Sequence, residues 1–448
     1  MKYGLGVDLG TSFTGVASSR HGHTEMTNLG NRTMVTPSVV FSTRENRLLT
    51  GEVAARRALE EPGRSMRDFK RRLGDPTPLI IGTSPYSPVK LMAALLRDVV
   101  DEAVRVHGEP PERVVLSHPA VWGPYRREQF DEVPRLAGIE NIRMITEPVA
   151  AATHYTATQE LADGDIVAVY DLGGGTFDAA VLQWEHGEMQ ILGDAEGVEW
   201  LGGSDFDEAI VNFVDKQLDG RVFALDPRNE DEALSLSRLR QECVLAKEAL
   251  SFDEETTIPV FIPNTHSSIR LTRTAFEQMV QPAVNSTVDA LHRALASAKV
   301  RPDELKAVLL VGGSSRIPVV ARTVEAALDR PTVVNAHPKH AVALGAARIA
   351  AGLLEPPVPV PVSERGRRNG RTPGQPGAAI PARPPAAPTR TRSRRLLRMF
   401  LVALLVVAGA AVIGAYYGYT HRTDGLRAPH LSSTDRAFSP ETAPTRPR

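Results

Sequence analysis

The stretch DLGGGTFDAAVL, residues 171–182, decides the fold. An apolar run, Ile166–Tyr170, leads into Asp171, three glycines follow, and Thr176 and Asp178 open a second apolar run. That is a strand, a tight turn and a returning strand, with one acid on each arm. Glycines lack a Cβ, so backbone N–H groups at such a turn can come close to phosphate oxygens, and the flanking carboxylates can hold a hydrated divalent cation. A Gly-rich hairpin taken singly is more often only a tight turn. GVDLGTSFTGVA, residues 6–17, repeats the plan: the strand Tyr3–Leu9, then Asp8, Gly10, Thr11 and Ser12. The repetition of Asp-Leu-Gly followed by Thr turns the reading toward two hairpins gripping one nucleotide from opposite lobes.

Outward from these hairpins, short apolar runs alternate with helical periodicity, as in an α/β domain. Val114–Leu116 and Ala307–Val311 read as further strands. Pro88–Val106 reads as a helix, with Ser87 as N-cap, Pro88 at its first position and Val89, Met92, Leu95, Leu96, Val99 and Ala103 on one face. A second helix is expected near Thr274, where Thr274 and Glu277 have the spacing of a capping box. Later helices are expected over Asp205–Gln217, Leu234–Leu250, Ile317–Leu328 and His340–Leu353. A third glycine-bearing loop, VGGSSRIP (311–318), joins a strand to a helix; Gly312 and Gly313 would let a flat ring approach the backbone, and the planar guanidinium of Arg316 can stack on it.

Charge divides the chain into unlike materials. The total of 52 Lys+Arg against 53 Asp+Glu gives a formal net charge of −1. Residues 1–355 carry 49 acids and 37 basic residues, whereas 356–398 carry ten arginines and one acid, Glu364. Met399–Thr420 has no charged residue, and 421–448 holds five arginines against three acids. Hydrophobic residues make 42 % of the chain, which excludes wholesale disorder, and the lone Cys243 excludes a disulfide framework and fits a reducing compartment.

The domain organisation follows from these divisions. Residues 1–355 are read as one two-lobed folded domain. Residues 356–395 are rich in Pro and Arg and are read as a disordered linker. A transmembrane helix is assigned to 396–420: its uncharged core of 22 residues would span roughly 33 Å as a helix, about the thickness of a bilayer's hydrocarbon core. Tyr416, Tyr417 and Tyr419 stand at its C-terminal end, where aromatic belts form. Arg390, Arg392, Arg394, Arg395 and Arg398 crowd its N-terminal flank, so the positive-inside rule expects the N-terminal domain in the cytosol and the short disordered tail 421–448 outside a cell membrane crossed once.

The two hairpins, together with TEPVAAATHY (146–155), WLGGSDFDEAI (200–210), AKEALS (246–251) and VGGSSRIP, occur in the order and at about the spacing seen in the nucleotide-binding domain of DnaK-type heat-shock protein 70 chaperones, which residues 1–354 resemble. The resemblance implies an actin-like ATPase fold, two RNase H-like lobes around a cleft that binds ATP or ADP with Mg²⁺. It implies that Asp8, Asp171 and Asp178 surround the magnesium through its waters. Gly10, Thr11, Ser12, Gly173, Gly174, Gly175 and Thr176 would meet phosphates, Thr176 also serving catalysis with Asp171. Lys70, in DFKRRLG, matches a lysine near the γ-phosphate, and Glu147 the acid of a Glu-Pro motif near the magnesium. Gly202, Gly203, Lys247, Ser251, Gly312, Gly313, Ser314 and Arg316 would form the adenosine side. Pro119 and Arg127 fall on the residues of an interlobe switch.

Departures from the family pattern matter as much. Phe13 stands where a polar residue or tyrosine is usual, Val244 where a glutamate contacts the adenosine, and Lys339 with His340 where an acidic pair is usual. After Leu354 neither a peptide-binding β-sandwich nor a helical lid is expected. The resulting expectation is a membrane-anchored, cytosol-facing, slow ATPase whose lobe closure regulates a protein partner or assists chaperone activity, with a co-chaperone or exchange factor as a further partner and no nucleic acid. An ATP-binding scaffold or sensor with little hydrolysis is the alternative. An actin-like filament protein is a third, disfavoured by the forms DLGGGTFD and GGSSRIP.

Overall fold

The computed structural model describes residues 2–29, 33–334 and 337–353. All lie in the first of two units, Met1–Pro361; the second, Val362–Arg448, lies outside the described residues. The linker 356–395, the span 396–420 and the tail 421–448 are therefore outside them too. Among the described residues, no helix is long and apolar enough to cross a membrane.

Two five-strand paths share one plan. The first sheet runs in the order His23–Met26, Phe13–Arg20, Gly4–Leu9, Arg113–His118, Ile142–Thr146, with Val35–Pro37 added beside Phe13–Arg20. The second runs Glu188–Glu199, Thr176–Glu185, Ile166–Leu172, Leu305–Val311, Thr332–Val334. In each, a first strand pairs antiparallel with its hairpin partner on one side and parallel with a later strand on the other. The duplicated hairpin of the sequence is thus one corner of a duplicated sheet, and Asp8 and Asp171 occupy the same place in it, opposite Gly15 and Asp178.

Strand alternation separates the faces of both sheets. Ala168, Tyr170, Leu172, Phe177, Ala179 and Val181 join the outer core of the second sheet, while Val167, Val169, Ala180 and Leu182 turn inward. On the first sheet Leu5, Val7, Val114 and Leu116 face the outer core and Val115 faces inward. The outer core of the first sheet is closed by the helices Pro88–His107 and Pro124–Ala137, that of the second by Arg273–Ala298. Between the sheets lie the helices Glu147–Tyr155 and Ala341–Gly352, rich in alanine on the faces that meet.

That inner layer is close enough to admit no methyl group at Gly345. A Cβ there would fall 1.7 Å from the carbonyl oxygen of Ala150 and 2.5 Å from its carbon, both backbone atoms that move only if the helices separate. Alanine raises helix propensity by about 1 kcal/mol over glycine, but overpacking typically costs about 1–3 kcal/mol and more where backbone must shift. We expect Gly345→Ala to destabilise the fold by about 2 kcal/mol or more net, measured as a fall in the urea midpoint with unchanged slope.

The predicted strands and helices are present, with ends shifted by a few residues. Ser87 caps Pro88–His107 by accepting from the Lys90 N–H. The helix near Thr274 is capped two residues earlier than expected: Thr272 accepts from the Ala275 N–H, and Thr274 lies within the first turn of Arg273–Ala298. The reason is that Thr272 still pairs with Glu255 in the hairpin Glu255–Ile262/Thr265–Thr272, so the chain turns from strand to helix without a loop. The expected helix Leu234–Leu250 starts at Glu230 instead, because Asn229 accepts from the N–H groups of Asp231 and Glu232, and an acidic first turn suits a helix N-terminus.

Candidate active site

Both hairpin tips project into one cleft of about 130 Å³. They meet closely: a Cβ on Gly174 would lie 2.1 Å from Ser12 Oγ, and one on Gly175 2.5 Å from Thr11 Cγ2. Only a backbone without side chains fits there. The second hairpin is pinned by Gly173 N–H donating to the Thr176 carbonyl at 3.0 Å. The first is pinned by Ser38, whose hydroxyl donates to the Gly10 carbonyl at 2.7 Å.

The 200–210 stretch is stitched onto the second hairpin, Gly203 and Ser204 donating their N–H groups to the carbonyls of Gly173 and Gly174 at 3.0 and 2.7 Å. Ser314 Oγ donates to the same Gly173 carbonyl at 2.9 Å. Lys247 reaches across from the helix Glu230–Ala249, donating to the Gly203 carbonyl at 2.9 Å and pairing with Asp207 at 2.8 Å. Gly202 donates its N–H to Asp205 at 2.8 Å. Three segments far apart in sequence thereby form one wall, opposite the first hairpin.

At the bottom of the cleft Lys70 Nζ donates to Glu147 Oε1 at 2.7 Å, and both side chains are buried. Lys70 sits on the short 3-10 helix Phe69–Arg72, entered through Asp68 in the left-handed region, φ 54°, and its ammonium lies 5.5 Å from the centre of the Trp122 ring. Glu147 opens the helix Glu147–Tyr155, followed by Pro148 at its second position. Asp171 and Asp178 are also buried. Burial first, and then the charge of Glu147, pushes the carboxyls of Asp8 and Asp178 up to about 7 and that of Asp171 well above the usual range. Burial pulls Lys70 down, but Glu147, Asp8 and Asp178 outweigh it and hold its ammonium above its ordinary value.

Four carboxyls around one lysine resist ionising together, and a bound cation would favour their charged forms. Among the described residues no group of three or more His, Cys, Asp or Glu is set to hold a metal directly. Magnesium keeps several of its waters and needs no direct cage of protein ligands. Together with the side-chain-free cradle at Gly174 and Gly175, the residues fit a polyphosphate with a hydrated divalent cation.

The cleft brings together Asp8, Gly10, Thr11, Ser12, Lys70, Glu147, Asp171, Gly173, Gly174, Thr176, Gly203, Lys247, Ser251, Gly312, Gly313 and Ser314. Asp178, Gly175, Gly202 and Arg316 stand outside this lining; the Arg316 guanidinium lies 5.7 Å from the centre of the exposed Phe252 ring. Of the expected switch pair, Pro119 is buried and its carbonyl lies 2.9 Å from His118 Nδ1, whereas Arg127 is exposed on Pro124–Ala137. Sequence reasoning missed Arg71 as a site residue. Its side chain is nearly buried, pairs with Asp205 at 2.8 Å, stacks on Trp200 and presses on Gly175. Its only signal was its place in the basic run after Lys70.

Two sheets of one topology, each offering an acid-bearing hairpin to a shared cleft, define an actin-like ATPase fold. The family model described as Hsp70 protein matches residues 4–79 and 78–361. The chain is 32 % identical over 355 residues to the chaperone protein DnaK of Thermotoga petrophila, and equally to those of Thermotoga maritima and Thermotoga neapolitana, covering 78 % of this chain and 59 % of each of theirs. The chain belongs to the Hsp70 family, and the described residues are its nucleotide-binding domain. It spans less than two thirds of the length of these relatives.

Proposed function

We propose that this chain is a membrane-anchored Hsp70-family protein that binds Mg-ATP in the cytosol, hydrolyses it slowly, and uses ATP-dependent lobe closure to regulate a protein partner or assist chaperone activity at the membrane. The observation that carries the nucleotide part of the reading is the buried Lys70–Glu147 pair with Asp8 and Asp171 where the hairpins of both sheets converge, Asp178 standing near enough for its charge to act on Lys70. In this reading Asp8, Asp171 and Asp178 would hold the waters of a magnesium ion, which would supply charge to polarise the phosphate oxygens. Thr11, Ser12 and Thr176 with the glycine N–H groups would hold the phosphates, and the adenosine would lie along Gly203, Lys247, Ser251, Gly312, Gly313 and Ser314, with Gly202 and Arg316 outside that lining. Lys70 places its ammonium where charge grows on the γ-phosphate, and Glu147 fixes that ammonium. Because the phosphates touch both hairpins, nucleotide state is coupled to the angle between the lobes. Pro119 would relay that state to the surface, and a co-chaperone or exchange factor would act there. The second reading is a scaffold or sensor that binds ATP with little hydrolysis; Val244, in place of the adenosine-contacting glutamate, would lower ATP affinity in either reading.

The experiment is made on the full chain. It should sediment with membranes, resist carbonate extraction and dissolve in detergent, and deletion of 396–420 should release it as a soluble ATP-binding protein. A full chain that stays soluble sinks the anchor; a folded chain that binds no ATP sinks the site.

A further inference from the structure

Lys339 is the residue that the nucleotide reading leaves unused. It stands in the loop before Ala341–Gly352, the helix that packs on the Gly4–Leu9 strand, so it belongs to the first lobe. Its stem lies along Gly313, where a Cβ would meet Lys339 Cε at 3.0 Å. Its ammonium sits 3.8 Å from the centre of the Phe13 ring and 3.4 Å from Glu248 Oε1 on Glu230–Ala249, a helix of the second lobe. All four residues line the cleft. One cation thus ties the first hairpin, the third glycine loop and the opposite wall together across the adenosine half of the site.

We propose that Lys339, Phe13 and Glu248 form a clasp over the nucleoside end of the cleft that sets how fast nucleotide escapes. This rests on the nucleotide reading above. A cation on an aromatic face and an ion pair half open to water each contribute modestly, but they act in series at the mouth that a leaving nucleotide must open. Opening the lobes breaks the Lys339–Glu248 contact, since its two ends belong to different lobes. Lysine here, with phenylalanine at 13, makes the clasp a property of this chain's own residues. An acid at 339 would be repelled both by Glu248 and by the negative face of the Phe13 ring.

The test is release of fluorescently labelled ADP from the purified full chain, followed by stopped flow while unlabelled ADP is added in excess. Lys339→Glu and Glu248→Lys should each speed release at least threefold, and the double variant, which remakes the pair with reversed signs, should release more slowly than either single. Lys339→Met, which keeps the stem over Gly313, should speed release while leaving the unfolding midpoint unchanged. Salt should speed release from the natural chain more than from Lys339→Met. Single variants that release at the natural rate, or a double variant no slower than the singles, overturn the clasp while leaving the site intact. A natural chain that is folded yet binds no labelled ADP overturns the nucleotide reading and the clasp with it.

Discussion

Lys70→Ala should lower single-turnover ATP hydrolysis by roughly a hundredfold to a thousandfold, the usual cost of removing one preorganised charge aimed at a transition state, while ATP affinity changes by no more than about tenfold. The two effects separate because the contacts are different. In the proposed site, ground-state grip on the phosphates would be spread over backbone N–H groups of two hairpins, whose tips press so closely that only glycine fits at 174 and 175. Lys70 is a single ammonium, held by Glu147 at 2.7 Å with the centre of the Trp122 ring 5.5 Å away, so it is poised for one position. Removing it also leaves Glu147 buried among three other carboxyls. Breaking a buried pair costs about 3–5 kcal/mol when the remaining charge stays, so the variant should melt earlier in metal-free buffer and recover part of that loss with Mg-ATP. Quench-flow hydrolysis, equilibrium binding and thermal melts on the same preparation distinguish the outcomes. Unchanged function in a variant that no longer hydrolyses would favour the scaffold reading; unchanged hydrolysis would remove Lys70 from the chemistry.

The fold was legible because its decisive feature is local and repeated. An apolar strand, an acid, glycines and a hydroxyl within about twelve residues announce a hairpin wherever they fall, and a second copy announces a second sheet. The inner layer was far less visible. Gly345 reads as an ordinary glycine in a helical run, and nothing nearby tells that the Ala150 carbonyl lies where its Cβ would be. The same holds for the site. Lys70, Glu147 and the three aspartates are named from their motifs, but the pairing of Lys70 with Glu147 joins residues 77 positions apart. Arg71 against Gly175 and Lys339 against Phe13 arise only when the lobes come together. Local chemistry is written in the sequence; the juxtaposition of elements that meet across a cleft is set by the packing of both sheets on the inner helices.

Asp171→Asn should raise stability and abolish activity together, and the opposite signs are what identify the residue. Asp171 is buried, lies opposite Asp178 in the hairpin register, and shares the cleft floor with Asp8 and Glu147. Burial and then the charge of Glu147 hold its carboxyl well above the usual range, so the ionised form is the one the folded state resists. An amide of nearly the same shape removes that charge while keeping an oxygen to accept hydrogen bonds. In buffer containing a chelator the variant should gain about 1 kcal/mol or more, since relieved strain at a functional site commonly returns that much, and its melting temperature should rise by about 2 °C. Magnesium should then stabilise the natural chain more than the variant, because the variant has lost a carboxyl that could ionise against the cation. Hydrolysis should fall at least a hundredfold, with adenosine contacts untouched and labelled ADP still bound. A carboxylate kept only for packing would lose stability on replacement and leave the magnesium response unchanged. One that serves the cation gives the reverse pair of results, and melts with chelator and with magnesium separate the two in a single experiment.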